Sequence, residues 1–259
     1  MRFSFLKIFV LVILFLWPTT VLAQNNFLLR SLYPAVKIIN TESLAERFDD
    51  VVLIDVRSVF EFEVMHINTA VNLPLATGRL ATSLERLARS RSDMTLVLYC
   101  SDSTCSAAFE AAEIAALKGF KQVLVYDGGV KDWLDTYPAK TFLMGERTAH
   151  PYQVLSKKKH NKHLLSWQDF SAKSKLDNSL VVDIRPRFVR HSSPLLNDIH
   201  PIEMDSFLEA VSNRIWSEKR LLIYDMGGEE ARLLHYFLQA SGYVDYYFLQ
   251  SGMDAVPAA

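Results

Sequence analysis

Cysteine is nearly absent from this 259-residue chain, in which Cys100 and Cys105 are the only two. A protein that used cysteine for stability would be expected to bridge distant segments, because loop closure contributes more for longer loops. A pair this close in sequence closes almost nothing, which argues against a structural staple and for reactive or redox-active thiols. A surplus of positive charge is missing too, with 28 basic against 29 acidic side chains. Nothing in that balance recommends a nucleic-acid partner. The seven histidines show no metal-ligand spacing, so no metal is expected. No apolar run reaches the roughly 20 residues that cross a bilayer comfortably.

The longest apolar run, Ile8 to Trp17, is flanked by Arg2 and Lys7 and broken by Pro18. Val21-Leu22-Ala23 then offers the small-residue pattern that a signal peptidase cuts before Gln24. A cleavable signal peptide over residues 1–23 is the expectation, with an uncleaved anchor as the alternative. No cysteine follows the cut, so no lipid anchor is expected there. The mature chain is expected to be periplasmic or secreted, with no stable membrane insertion.

Cys100 opens the stretch Cys100-Ser101-Asp102-Ser103-Thr104-Cys105. The apolar run Thr95 to Tyr99 precedes it, and an alanine-rich segment from Ser106 to Lys118 follows. That places a thiol at a strand-to-helix turn, where backbone N–H groups and the positive end of a helix favour an anionic sulfur.

The chain also repeats itself. Leu53-Ile54-Asp55-Val56-Arg57 returns as Val181-Val182-Asp183-Ile184-Arg185, and Leu96 to Cys100 returns as Arg220 to Asp225. Gly119-Phe120 with Gly128-Gly129 is echoed by Gly242-Tyr243 with Ser251-Gly252. Thr41-Glu42-Ser43-Leu44 and Ser166-Trp167-Gln168-Asp169 each read as a helix N-cap with an acidic first turn. Short β-branched runs alternate with helical patterns, which argues an α/β layer fold with a mostly parallel sheet in each copy. In the first copy strands are expected at Val36 to Ile39, Val51 to Asp55, Thr95 to Tyr99 and Val123 to Tyr126. Ligands of such sheets bind beyond the carboxyl ends of the strands, and Cys100 falls at that edge.

Asp55-Val56-Arg57, Glu61-Phe62, His66-Ile67, Ala70, Asn72 and Pro74 resemble the rhodanese-like pattern in order and spacing. The resemblance continues through Tyr99-Cys100, Ser106, Gly119-Phe120, Gly128-Gly129 and Trp133. It covers Val36 to about Thr141 strongly and Leu164 to Met253 weakly. It implies two three-layer domains, each a mostly parallel sheet flanked by helices. Taken with the leader and the internal repeat, the expected organisation is a signal peptide (1–23), an N-terminal linker (24–35), an active first domain (36–142), a linker (143–163) and a degenerate second domain (164–259).

The family's chemistry implies that Cys100 accepts sulfane sulfur as a persulfide and passes it to a nucleophilic acceptor, without any cofactor. The partners implied are a small sulfur donor, a protein persulfide or a thiol acceptor. Amides of Ser101, Asp102, Ser103, Thr104, Cys105 and Ser106 would stabilise the sulfur anion and lower the Cys100 pKa. The loop departs from many members, which carry a glycine midway and a basic residue or hydroxyl at the fifth position after the nucleophile. Here those positions are Ser103 and Cys105. Asp102 adds a charge that repels anions, so thiosulfate is expected to be a poor substrate and a neutral or protein-bound persulfide a better donor. Phosphatase or arsenate reductase chemistry is disfavoured, because the loop is a residue short and lacks a clamping arginine.

Cys105 keeps a second chemistry open: it could attack an intermediate on Cys100 and leave a disulfide, making the protein a thiol or persulfide reductase. That requires Cα atoms within roughly 7 Å, and a cradle-shaped loop is expected to point its ends apart. A noncatalytic binding module is the third reading. Asp55, Arg57 and Glu61 are expected to fix a turn, His66 to make a structural hydrogen bond, and Trp133 to anchor the last helix. Asp225 replaces the cysteine in the second copy, where Glu229 and Glu230 would repel anions, so that domain is expected to be structural or to meet a protein partner. The run Lys157 to His163 reads as a solvated linker.

Overall fold

A computed structural model describes residues 28–91, 94–150, 152–191, 196, 198–228 and 230–257. The leader expected over residues 1–23 lies outside them, as does Glu229. The first half carries strands β1 (Lys37–Ile38), β2 (Val51–Asp55), β3 (Met65–Ile67), β4 (Val71–Asn72), β5 (Thr95–Tyr99), β6 (Val123–Tyr126) and β7 (Thr141–Leu143). The second carries β8 (Leu164–Leu165), β9 (Ser179–Asp183), β10 (Ile199–Pro201), β11 (Arg220–Tyr224) and β12 (Tyr246–Leu249). Three of the expected strands occupy the residues named for them, and β1 is shorter than Val36 to Ile39.

The first sheet runs β1-β6-β5-β2-β4 and the second β8-β12-β11-β9-β10, with parallel neighbours throughout. The orders correspond strand for strand, so the repeated sequence is a repeated topology. β5 and β11 take the centre of each sheet.

Both faces of the first sheet are covered, which is why β2 and β5 are continuous apolar runs rather than alternating ones. Val52, Ile54, Leu96 and Leu98 pack with Leu80, Leu84, Ala108, Ala111, Ala112 and Ala115. Leu53, Val97 and Tyr99 face the other way, onto Leu44, Val130 and Trp133. Each buried Val, Leu or Ile among them contributes about 1.5–3 kcal/mol. The second sheet does the same with Val182, Leu221 and Ile223 on one face and Val181, Leu222 and Tyr224 on the other.

Some local readings are corrected. Helix Thr41–Glu46 is capped one residue earlier than expected, by Asn40, whose side chain accepts from the Ser43 N–H at 2.8 Å. Ser166 does cap Trp167–Ser174. The segment 24–35 is no free linker over its described part: helix Leu28–Leu32 is tied down by Arg30 to Asp127 at 2.6 Å, and Tyr33 stacks on Phe109.

The run Lys157 to His163 is likewise only partly solvated. It forms helix Lys157–Asn161 and turns His163 inward, stacked on Tyr246 at 4.4 Å. Just before it, buried Leu155 donates its N–H to Tyr236 Oη at 2.8 Å and accepts from Arg232 at 3.0 Å. Tyr236 and Leu233, on helix Ala231–Ala240, join the core of the first half, and Phe237 meets Phe60 edge-on.

His235 on the same helix is wholly buried, with neither ring nitrogen hydrogen-bonded. Burial, with His163, His160, Lys159 and Arg232 nearby, pushes its pKa down to about 3. The unfolded chain therefore binds a proton below about pH 6.5 that the folded chain refuses, so stability falls as the pH drops from there towards 3. The slope from this one group is at most about 1.4 kcal/mol per pH unit. Urea unfolding at pH 6.5 and 5 should show His235→Leu flattening the dependence by that amount, and an unchanged slope would contradict it.

Candidate active site

Cys100 emerges from the carboxyl end of β5, the central strand, at 5% exposure. After it the backbone turns sharply at Asp102. The Asp102 carboxylate accepts from the Thr104 N–H at 3.0 Å and from its hydroxyl at 2.7 Å, and the Asp102 carbonyl accepts from the Cys105 N–H at 3.2 Å. This turn folds the loop back on itself. The expectation that its ends diverge is overturned, since Cys100 and Cys105 form a disulfide with Cα atoms 6.1 Å apart. Two of the expected anion-binding amides, those of Thr104 and Cys105, are in this state committed to Asp102. Ser106 then starts helix Ala107–Leu117 and bonds Glu110 at 2.7 Å, while the small alanine face lets the helix lie close to the sheet.

A second element clasps the loop from outside. Val130 and Lys131 donate their N–H groups to the carbonyls of Cys100 and Ser101, at 3.0 and 3.1 Å. Gly129 sits at φ +67°, and a Cβ there would stand 2.6 Å from the Ser101 and Asp102 backbone. Only glycine meets both demands. Gly252 makes the same approach to Asp225 and Met226 in the second half, which accounts for the repeated Gly129 and Gly252. Gly129→Ala is expected to cost about 2–4 kcal/mol from positive φ and overpacking combined. It should also displace the Cys100 loop, read as a changed thiol alkylation rate of the reduced protein; unaltered stability and alkylation would refute the clasp.

Asp55, Arg57 and Glu61 form the floor. Asp55 accepts from the Arg57 N–H at 3.0 Å and from its guanidinium at 2.6–3.2 Å. Burial alone would lower the Arg57 pKa, but the Asp55 charge and hydrogen bonds outweigh it and hold the pKa raised. Arg57 also donates to the Met65 carbonyl at 2.6 Å. Glu61 completes a capping box with Ser58 and accepts from the Ser101 hydroxyl at 3.3 Å, linking the floor to the loop. His66 is held in a stack between Phe62 and Phe142 with Nδ1 2.6 Å from the Phe62 carbonyl, the structural bond expected of it. Burial lowers its pKa. Trp133 is fully buried and donates to the Lys140 carbonyl, anchoring helix Gly129–Thr136.

The corresponding loop of the second half is closed around its own carboxylate. Asp225 accepts from the Gly228 N–H at 2.7 Å and the Glu230 N–H at 2.9 Å. Amides that would hold a sulfur anion are taken by a side chain that cannot accept sulfane sulfur.

Two cavities flank the Cys100 loop. One, about 660 Å³, is acidic, with Glu42, Asp127, Asp132 and Asp135 in its wall. The other, about 480 Å³, lies between the halves and is reached by Arg57, Ser101, Lys131, Lys157, His160 and Arg232. Lys131, Lys157, His160 and Arg232 are not among the site residues expected from the sequence. Arg232 carries no sequence signal, and the basic run at 157–163 was visible but belongs equally to a solvated linker.

A family profile described as a rhodanese-like domain matches residues 40–136. Among known proteins the chain is 28% identical over 93 residues to a thiosulfate:glutathione sulfurtransferase of Saccharomyces cerevisiae, covering 33% of this chain and 66% of that protein. It is 37% identical over 84 residues to an HTH-type transcriptional regulator of Mycobacterium tuberculosis, covering 32% and 34% respectively. The chain thus spans about a third of the length of one of these relatives and just under two thirds of the other. A solved thiosulfate sulfurtransferase from Pseudomonas aeruginosa is 19% identical, with a TM-score of 0.36, covering 85% of this chain and 42% of that one. Residues 40–136, with the Cys100 loop at the end of the central strand, form a rhodanese-like domain.

Proposed function

We propose that the protein is a sulfurtransferase in which Cys100 carries sulfane sulfur as a persulfide. The observation that carries this reading is the seat of Cys100: the end of the central strand of a rhodanese-like domain, in a loop clasped by Gly129 and tied to Glu61. In the reduced protein the thiolate attacks the outer sulfur of a donor, the donor's S–S bond breaks, and the donor leaves as the thiol or sulfite. An acceptor thiolate then takes that sulfur and regenerates the Cys100 thiolate. Export through residues 1–23 would place this chemistry in an oxidising compartment, where a disulfide persists.

The Cys100–Cys105 disulfide favours a second reading. Cys105 thiolate attacks the inner sulfur of the Cys100 persulfide, the S–S bond to the outer sulfur breaks, hydrosulfide leaves, and the disulfide remains to be reduced by an external dithiol. Cys105 is the less buried partner, so an incoming thiol reaches it first and expels Cys100 as the leaving thiolate. Mass spectrometry of reduced protein after a sulfane donor tests both readings. An extra sulfur on the Cys100 peptide supports transfer. Immediate disulfide with released hydrosulfide supports the reductase, and neither product refutes both.

A further inference from the structure

We infer that His160, His163 and His235 form an acid-sensitive latch that holds the segment 155–163 over the cavity between the halves and releases it when the cluster takes up protons. The inference is independent of the sulfur chemistry assigned to Cys100.

The three rings come from three elements. His160 lies on helix Lys157–Asn161, His163 in the turn that leads into β8, and His235 on helix Ala231–Ala240. The His235 ring is edge-on to His163, with centroids 4.6 Å apart, and 5.5 Å from His160. Tyr246 of β12 closes the cluster, edge-on to His235 at 5.4 Å and stacked on His163. Nδ1 of His163 lies 2.8 Å from the Tyr246 carbonyl. Both nitrogens of His235 and Nδ1 of His160 are buried without a hydrogen-bond partner.

Neutral imidazole tolerates such a site far better than imidazolium, which would bury a charge and its N–H donors with nothing to accept them. The neighbouring charges deepen this preference. Arg232 approaches from the helix of His235, Lys159 from the connecting helix and Lys131 from helix Gly129–Thr136, besides the other histidines. Asp102 and Asp135 are the carboxylates in the cavity wall that His160 shares, and they do not outweigh these cations. Burial and the positive neighbours hold His160 at a pKa of about 4 and His235 at about 3. Tyr236 and Tyr246 stay neutral, their pKa values raised by burial.

Packing decides which element yields. Helix Ala231–Ala240 buries Leu233, Leu234, Tyr236 and Leu238 along with His235, so it cannot turn the ring out to water. Helix Lys157–Asn161 has five residues, none of them buried, and is held by the cluster and by the bonds of Leu155 to Tyr236 and Arg232. Opening there wets His235 at the smallest loss of contact. It also takes Leu155, Lys157 and His160 out of the cavity wall beside Ser101, so acid widens the approach to the Cys100 loop.

The sign follows from the lowered pKa values. Once open, each ring returns towards 6.5 and binds a proton that the closed state refuses, so opening is favoured as the pH falls below about 6.5. Two such rings favour it by about a hundredfold between pH 7.5 and 5.5, roughly tenfold each. Amide hydrogen exchange of the whole chain, corrected for the chemical exchange rate, reads this directly. Opening at residues 155–163 is expected to rise about a hundredfold over that range while the amides of β5 stay protected. His235→Leu and His160→Gln should each leave about a tenfold rise, and the two together a flat response. His160 is half-buried on a short helix, so its variant should fold even if the change at His235 disturbs the core. A wild-type rise of less than about tenfold, the full rise in both single variants, or loss of protection in β5 together with the segment would overturn the latch.

Discussion

Cys100→Ser is expected to abolish the sulfur adduct and to lower sulfur transfer by at least about a thousandfold, because the covalent carrier is lost rather than weakened. Serine retains the shape at the end of β5, and the backbone bonds from Val130 and Lys131 to the loop do not involve the side chain. The fold should therefore persist, as thermal unfolding can check. Its hydroxyl stays protonated at neutral pH and lacks the polarisable sulfur that attacks a sulfane donor. Cys105→Ser separates the two chemistries. For a transferase it should leave turnover nearly intact, since serine can still occupy the turn held by Asp102. For a reductase it should trap the Cys100 persulfide and stop hydrosulfide release after a single turnover. Transfer that persists in Cys100→Ser would remove the covalent mechanism altogether.

The strands and the position of Cys100 at a strand end are legible because both are written locally. β2, β5 and β6 are β-branched runs bounded by turn residues, and a cysteine following such a run at a helix start can occupy few places. The repeat was legible because two copies of one topology keep the same landmarks, Asp55 with Asp183 and Gly129 with Gly252. What escaped was written across the fold. The loop closes because the Asp102 carboxylate and carbonyl both turn back on Thr104 and Cys105, a geometry no spacing rule specifies. Arg232 and Lys157 reach the cavity only because helix Ala231–Ala240 packs against the first half, through Phe60, Leu155 and Tyr236. The cap falls at Asn40 rather than the expected Thr41, because both are good caps and the choice depends on which side chain faces the Ser43 N–H.

Asp55→Ala is expected to be the most destabilising single substitution near the site, at about 3–5 kcal/mol. The carboxylate is wholly buried and accepts from the backbone N–H, Nε and Nη2 of Arg57, itself only 4% exposed. Removing it leaves a buried cation whose remaining hydrogen bond, to the Met65 carbonyl, cannot replace a counter-charge. Against a total stability of roughly 5–15 kcal/mol this is a large share, and about 10 °C should be lost from Tm. The pair as a whole is a different quantity, because desolvating two ions offsets much of their attraction. Asp55→Ala combined with Arg57→Met should thus recover a substantial part of the loss. Urea unfolding of the two variants decides it: a double variant as unstable as the single one would mean that Asp55 acts through the turn it forms with its neighbour's N–H, rather than through the charge it neutralises.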